Sequence, residues 1–277
     1  MPPKSLTRRV AKRVLGTVLG DRAYRYVQAR SVVRDLRSGA LSEPELDLVR
    51  HAVRPGDTVI DVGANHGMWT RSLSEAVGPT GRVYAFEPVP FTAGTLRLVV
   101  RLLRLRNVVI VEKGCGERAG RVAFAVPIQS SGVTDAALAH LADRTSEVDG
   151  AQDATRQVSA EVVALDEFLP DLNEVPLMKA DIEGAELYAF RGARALIERH
   201  LPTVVSEIDP SFMDGFGLSA ADALRFFGER GYRAYRYSQA RGRLEAAAEP
   251  AGGEGGNYVF VHPRRADRLH GLLRAAG

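Results

Sequence analysis

The segment 57–67, DTVIDVGANHG, has the composition of a binding site for a charged small molecule. Its apolar residues lead into Asp61, Gly63 and Gly67, a pattern that predicts a buried strand, a sharp turn and the start of a helix. Gly63 can adopt a positive φ and allows a ligand to approach the backbone closely. The first N–H groups of the following helix have no partner within that helix. The sequence therefore predicts a ligand site at this turn.

A second acid lies where the ribose of such a ligand is expected. Glu87 ends the strand-like segment GRVYAFEPVP and follows Gly63 by 24 positions. An acid at about this spacing can accept two hydrogen bonds from a ribose diol. Pro88 then ends the strand, beside the ligand. The pattern predicts an adenosyl ligand.

The turn differs from G-x-G-x-x-G, the fingerprint of nicotinamide-dependent enzymes, in which a second glycine clears room for a pyrophosphate. Here Ala64 adds a side chain and Asn65 adds an amide. Asp61 would repel a pyrophosphate and attract a cation. S-adenosylmethionine carries a sulfonium and an ammonium but no phosphate, so the turn favours this methyl donor over a dinucleotide.

Ionisable groups are dense at the end of the predicted fourth strand, in LMKADIEGAE. Strand alternation sends Lys179 and Asp181 to one side, with Glu183 on the continuing turn. Methyl transfer to oxygen requires removal of the acceptor's proton, and Lys179 or Asp181 could serve as the base. Both groups are therefore candidate catalysts.

A metal-dependent mechanism is the alternative. Asp181, together with Glu207 and Asp209 at the end of the next predicted strand, could hold a divalent metal such as Mg²⁺ that acidifies the hydroxyl. The sequence leaves both mechanisms open.

Three other residues have two interpretations each. His66 could be a base, because histidine titrates near neutrality, or it could only shape the pocket. Trp69 could contact the methionine part of the donor or pack in the core. Cys115, the single cysteine, could lie beside the adenine or fill space in the core.

The elements that would position these groups alternate between strand and helix, which is typical of a mostly parallel sheet with helices on both faces. The predicted strands are 57–62, 81–87, 107–112, 175–181, 203–209, 232–238 and 257–262. The predicted helices are 67–77, 90–105, 185–199 and 219–230. Within an insertion at 121–163, RVAFAVP and VSAEVVAL predict an added β pair. The polar residues 128–157 between them are expected either to determine substrate specificity or to form only a disordered surface loop.

With 277 residues and 45% hydrophobic side chains, the chain can form one large domain at 55–277, preceded by a basic helical extension at 1–54. Helices are predicted at 5–37 and 43–53, the second with a capping box of Ser42 and Glu45. Residues 1–37 carry ten Lys and Arg against two Asp, a net charge of +8. This segment could contact an anionic membrane, a phosphorylated substrate or nucleic acid, or it could pack on the domain and cover the active site.

The expected location is the cytoplasm. The sequence has no apolar run of the ~18 residues typical of a membrane-spanning helix, and its N-terminus lacks the apolar core of a secretory signal. A small-molecule or glycan acceptor is the expected partner. Nucleic acid is not expected, because the sequence shows no recognisable RNA-binding module.

The ordered motifs resemble the FkbM family of class I S-adenosylmethionine-dependent methyltransferases over about residues 55–262. The motifs are DVGAN at 61–65, FEP at 86–88, LDEFL at 165–169, DIEGAE at 181–186 and Glu207. The resemblance implies a Rossmann-like seven-stranded sheet with an antiparallel last strand. It also implies methyl transfer to a hydroxyl of a sugar, a glycolipid or a polyketide-type natural product, as in secondary metabolism.

The resemblance also implies roles for individual residues. The residues implied to hold the donor are Asp61, Gly63, Asn65 and Glu87. Asp181 and Glu183 would face the reaction centre. Two alternative functions remain: 2′-O-methylation of RNA, and a non-enzymatic role in which the cofactor pocket is kept and the basic N-terminus docks on a membrane or partner.

Overall fold

Two β-sheets form the framework of the protein, whose computed structural model describes residues 6–127, 140–141, 155–247 and 255–273. In chain order the strands are β1 (Thr58–Val62), β2 (Arg82–Phe86), β3 (Val108–Val111), β4 (Gly114–Cys115), β5 (Gly120–Pro127), β6 (His140–Leu141), β7 (Thr155–Val163), β8 (Leu177–Ala180), β9 (Thr203–Ile208), β10 (Arg233–Ser238), β11 (Arg243–Ala246) and β12 (Gly256–Val261).

The helices alternate with these strands. They are α1 (Leu6–Ser38), α2 (Val49–Ala52), α3 (Met68–Val77), α4 (Pro90–Leu103), α5 (Leu165–Phe168), α6 (Glu186–Arg191), α7 (Arg194–His200), α8 (Pro210–Met213) and α9 (Ala220–Gly228). The described residues also include the 3-10 helices Pro44–Leu48, Asp214–Phe216 and Pro263–Leu269.

The larger sheet has the order β11-β10-β12-β9-β8-β1-β2-β3 within the described residues. Strands β3, β2, β1, β8 and β9 are parallel, and β12 runs antiparallel to both β9 and β10. The parallel part follows the doubly wound order, so the predicted Rossmann-like α/β fold with a reversed last strand is confirmed. The predicted number of seven strands is wrong, because β11 pairs with β10 as an additional edge strand.

Alternation along the central strands sends side chains to two separate cores. On β1, Val59 belongs to the core on one face, while Ile60 and Val62 belong to the core on the other face. On β8, Leu177 belongs to the same core as Val59, and Met178 belongs to the same core as Ile60 and Val62. Both faces of the sheet are therefore covered, which explains the almost continuous apolar character of these strands.

Helix α1 packs on the domain through its C-terminal part. Ala29, Val33 and Leu36 form a small core with Val99 of α4, and Met68 of α3 packs against it. Side chains are described here from Arg22 onward. This arrangement fits the predicted helix at 5–37.

The predicted helix at 43–53 is replaced by the 3-10 helix Pro44–Leu48 followed by the short α2. Its predicted capping box does not form, since the N-cap position is Glu43 and no side chain caps this helix. Pro44 is the physical reason. The residue before a proline is held out of the helical region, and Glu43 is extended, with φ −120 and ψ 148.

The predicted helix at 185–199 is divided into α6 and α7. Gly192 lies between them, and a Cβ there would overlap the carbonyl oxygen of Gly116. Asp166 accepts hydrogen bonds from the amides of Ala195 and Leu196, both 2.8 Å long, and so satisfies the free amides at the start of α7.

The smaller sheet has the order β4-β7-β5-β6, with β5 and β7 antiparallel. This confirms the predicted added β pair. Of the polar segment 128–157, the structure describes only 140–141 and 155–157, so its expected role in specificity stays a prediction. Within the described ranges, every helix is too short or too polar to cross a membrane.

Candidate functional site

A cavity of about 250 Å³ opens at the carboxyl ends of β1, β2 and β8. The strand order reverses between β1 and β8, and such a switch point is where doubly wound sheets bind ligands. Ten of the predicted site residues line it: Gly63, Ala64, Asn65, His66, Trp69, Glu87, Pro88, Lys179, Asp181 and Glu183. Five do not: Asp61, Gly67, Cys115, Glu207 and Asp209.

The turn after β1 has no room for a side chain at Gly63. Its φ is +80, and a Cβ there would overlap the carbonyl oxygen of Asp181. The amides of Gly63 and Ala64 both donate to the carbonyl of Phe86, at 3.0 and 2.9 Å. The turn is therefore fixed to the ends of β2 and β8 together, and only glycine allows this approach.

Glu87 ties two loops together at the cavity wall. Its Oε2 accepts a hydrogen bond from the amide of Asn65 at 3.0 Å, and its Oε1 accepts one from the amide of Val89 at 2.9 Å. Burial raises the pKa of this carboxyl to about 7. Each carboxylate oxygen can accept a second hydrogen bond, so Glu87 keeps the capacity to bind a diol.

Asn65 supplies an acceptor that has no partner within the protein. Asn65 adopts the left-handed backbone conformation, with φ 46, and its buried Oδ1 has no hydrogen-bond partner. A buried acceptor without a donor is costly, and a ligand N–H or O–H would relieve that cost. Together with the carboxylate of Glu87, this atom fits a cationic adenosyl ligand.

Asp61 lies beneath the turn and not in the cavity wall. It is 1% exposed, and the hydroxyl of Thr70 donates to its Oδ2 at 2.5 Å. Burial raises the pKa of Asp61 to about 6. Direct contact between Asp61 and a bound methyl donor therefore stays a prediction. Gly67 likewise lies behind the wall, where a Cβ would come 2.8 Å from Cδ1 of Leu96.

Lys179 is the charged centre of the site. It is 1% exposed, and its Nζ lies 3.5 Å from Oδ2 of Asp181 and 5.3 Å from the centroid of the Trp69 ring. The indole N–H of Trp69 donates to Oε2 of Glu43 at 2.9 Å. A connected network thus runs from Glu43 through Trp69 and Lys179 to Asp181.

Glu207 forms a hydrogen-bonded pair with Asp181. Burial, followed by the negative charge of Asp181, raises the pKa of Glu207 to about 8. Glu207 therefore keeps its proton to a higher pH than an isolated glutamate does. The sequence predicted Glu207 only as a metal ligand. Its pairing with Asp181 follows from the parallel pairing of β8 with β9.

The predicted metal site at Asp181, Glu207 and Asp209 is not supported. Asp209 caps α8 instead, with its Oδ1 accepting from the amide and hydroxyl of Ser211 at 2.8 and 2.6 Å. Across the described residues, no group of three or more His, Cys, Asp or Glu could hold a metal ion. Because the carboxylate of Asp209 caps the helix that begins at Pro210, it does not complete a site with Asp181 and Glu207.

The loop after β8 depends on another buried carboxylate. Glu183 and Gly184 both have positive φ, 57 and 98. Oε1 of Glu186 accepts hydrogen bonds from the amides of Ile182 at 2.7 Å and Gly184 at 3.2 Å. Burial raises the pKa of Glu186 to about 7. Glu186 therefore holds the loop that carries Glu183 into the cavity wall.

His66 connects the turn to the N-terminal helix. Its Nε2 lies 3.2 Å from the side-chain amide nitrogen of Gln28 in α1, and Gln28 also accepts a bond from the hydroxyl of Thr95. Cys115 is buried in the core that contains Phe86 and Val111, and burial raises the pKa of its thiol. His66 is thus in the cavity wall, and Cys115 is outside it.

Sequence reasoning missed five residues of the wall: Leu41, Glu43, Met68, Val89 and Ile182. Met68, Val89 and Ile182 adjoin the predicted motifs, so their position in the wall could have been inferred. Leu41 and Glu43 come from the N-terminal extension and have no local signal. Their place depends on how that extension folds back over the sheet.

The chain matches one family model, described as the methyltransferase FkbM domain, over residues 61–234. Among curated proteins it is 29% identical over 151 residues to Methyltransferase 1 of Beauveria bassiana, covering 50% of this chain and 59% of that protein. It is 42% identical over 65 residues to a protein-L-isoaspartate O-methyltransferase of Aeropyrum pernix, covering 24% of this chain and 25% of that protein. The matches thus span 59% or less of these relatives.

Two solved structures are also similar. A methyltransferase FkbM from Methylobacillus flagellatus is 19% identical, with a TM-score of 0.44, and the match covers 92% of this chain and 59% of that one. A SAM-dependent methyltransferase from Aquifex aeolicus is 16% identical, with a TM-score of 0.43, covering 79% of this chain and 88% of that one.

The role of Glu186 can be tested without any ligand. In Glu186→Ala, the amides of Ile182 and Gly184 lose hydrogen bonds to a carboxylate, each worth ~1.5–3 kcal/mol. We expect their hydrogen exchange, measured by NMR, to accelerate about tenfold or more. Glu167→Ala, which changes an exposed carboxylate, is the control. Unchanged exchange at both amides would show that Glu186 does not hold this loop.

Proposed function

Because this chain belongs to the methyltransferase FkbM domain family, we propose that it transfers a methyl group from S-adenosylmethionine to a hydroxyl of a sugar, a glycolipid or a polyketide-type natural product. One observation carries the proposal. The carboxyl of Asp181, which is paired with that of Glu207, lines the same cavity as the Gly63 turn and Glu87. A donor site and a proton acceptor are therefore adjacent.

The donor-binding residues are those of the turn and the end of β2. Glu87 would accept hydrogen bonds from the ribose hydroxyls of S-adenosylmethionine, and the unpartnered Oδ1 of Asn65 would accept one from an N–H of the same molecule. When bound, S-adenosylmethionine supplies an electrophilic methyl group on a sulfonium. Gly63 lines the same cavity and holds the turn against the end of β8.

The acceptor hydroxyl must lose its proton as the new bond forms. While Glu207 keeps its proton, it cannot accept one from the acceptor hydroxyl. When that proton is lost, the pair becomes a base whose conjugate acid has a pKa of about 8. The positive charge of Lys179, next to Asp181, stabilises this ionised form. The pair would thus act as the general base.

The side chains beside the proposed donor turn favour a polar acceptor. Glu43, Lys179, Asp181 and Glu183 line the cavity there, and Trp69 provides one aromatic surface beside them. Carboxylates accept hydrogen bonds from hydroxyl groups, and the lysine donates them. A hydroxyl-rich acceptor such as a sugar fits this wall better than an apolar one.

Donor binding can be measured directly by calorimetric titration with S-adenosylmethionine. Glu87→Ala removes the carboxylate that would accept hydrogen bonds from the ribose hydroxyls. Each such bond is worth ~1.5–3 kcal/mol, so we expect the affinity to fall at least tenfold. Glu75→Ala, an exposed carboxylate on α3, should bind like the unchanged protein. Equal affinity of Glu87→Ala and the control would remove Glu87 from the donor site.

The base has a pH signature. Because Glu207 must lose its proton before it can act as a base, kcat/KM should rise about tenfold per pH unit below pH 8 and level off above it. Glu207→Gln keeps the size of the side chain but removes this titration, so its profile should be lower and flat in that range. Glu229→Gln, which changes an exposed carboxylate, should keep the original profile. A Glu207→Gln profile that still rises toward pH 8 would contradict this assignment.

The acceptor class can be tested with a radiolabelled methyl donor and a panel of acceptors. We expect label in hydroxyl groups of sugars, glycolipids or polyketide-type compounds, in a product stable to mild base, as an ether is. Label in RNA instead would favour the alternative of 2′-O-methylation. Donor binding without transfer to any acceptor would favour a non-enzymatic role.

A further inference from the structure

An open groove of about 1190 Å³ lies on the outer side of α1 and α4, away from the cavity at Gly63. Six arginines line it: Arg22, Arg25, Arg97, Arg101, Arg104 and Arg106. We call this surface the arginine groove. Within the described residues, one ion pair neutralises part of its charge, that of Arg97 with Glu112. The groove therefore carries a large uncompensated positive charge.

The spacing of the arginines concentrates this charge. Arg97 and Arg101 are four residues apart and so lie on one side of α4, Arg104 follows the last residue of that helix, and Arg22 and Arg25 are three residues apart on α1. Like charges at this spacing destabilise a helix. The last turn of α4 offsets part of that repulsion, because the helix dipole attracts cations at its C-terminal end.

Arg25 is fixed in place at the floor of the groove. Its guanidinium lies 5.3 Å from the centroid of the Phe91 ring, and a Cβ on Gly94 would come 2.7 Å from its Nη1. Its buried Nε has no hydrogen-bond partner. Glycine at position 94 thus makes room for an arginine that keeps an unused donor.

We propose that the arginine groove docks this protein on an anionic phospholipid surface. Guanidinium groups bind phosphate oxygens through two parallel hydrogen bonds, and several arginines on one helical surface match a layer of phosphate headgroups. Two large apolar side chains flank the arginines on α1: Tyr26 and Val27 are each 44% exposed. Residues of this kind insert between headgroups at the membrane interface.

The sequence of α1 adds further positive charge before Arg22. The helical backbone begins at Leu6, and residues 6–21 add four more Lys and Arg against Asp21. A single-stranded RNA would instead need several aromatic side chains for base stacking. Among the described residues that line the groove, Tyr26 is the sole aromatic. The surface therefore favours lipid over RNA.

The experiment measures sedimentation of the full-length protein with vesicles, with no donor or acceptor present, so its result is independent of the proposed function. We expect binding to vesicles of phosphatidylglycerol mixed with phosphatidylcholine, weaker binding as salt rises, and none to pure phosphatidylcholine. In the triple variant Arg22→Gln, Arg101→Gln and Arg104→Gln, each lost charge should cost about fivefold, so the affinity should fall about 100-fold.

The matched control removes three arginines elsewhere on the surface: Arg54→Gln, Arg118→Gln and Arg264→Gln. These residues are exposed and, in the described part of the chain, form no ion pair. The control should keep most of the vesicle affinity, and both variants should keep the melting temperature. Equal losses in the two variants would overturn the proposal, as would binding to RNA oligonucleotides without binding to anionic vesicles.

Discussion

The close approach of Gly63 to the backbone of Asp181 is the constraint on which the site depends. The turn after β1 passes so near the end of β8 that a side chain at Gly63 would overlap a carbonyl oxygen. The same turn is hydrogen-bonded to Phe86 at the end of β2. One contact therefore brings the proposed donor site and the proposed base to the same edge of the sheet, at the point where the strand order reverses.

Two buried carboxylates stabilise the loops around this contact. Glu87 accepts bonds from the amides of Asn65 and Val89, and Glu186 accepts bonds from the amides of Ile182 and Gly184. Short loops with positive φ leave backbone amides that no helix or strand satisfies, and a buried carboxylate can satisfy two at once. Acids near this cavity thus have a structural role in addition to the chemical role proposed for them.

The N-terminal extension is part of the site. Glu43 binds the indole of Trp69, and Gln28 contacts His66. Helix α1, which makes the second of these contacts, also carries part of the arginine groove. A surface proposed to meet a membrane and a loop proposed to meet the methyl donor are therefore connected by one helix, whose packing on α4 fixes their relative position.

The sequence by itself determined the local structures: the strand, glycine turn and helix at 57–77, the acid at the end of β2, the alternation of strands and helices, and the family. These features follow from short-range patterns, namely apolar period, glycine and proline positions, and spacing. Only the tertiary structure decided that Glu207 pairs with Asp181, that Asp209 serves as a helix cap, that Glu43 reaches the cavity and that β11 adds an eighth strand. Each of these depends on contacts between segments far apart in the chain, and local patterns do not encode which distant groups meet when the sheet folds.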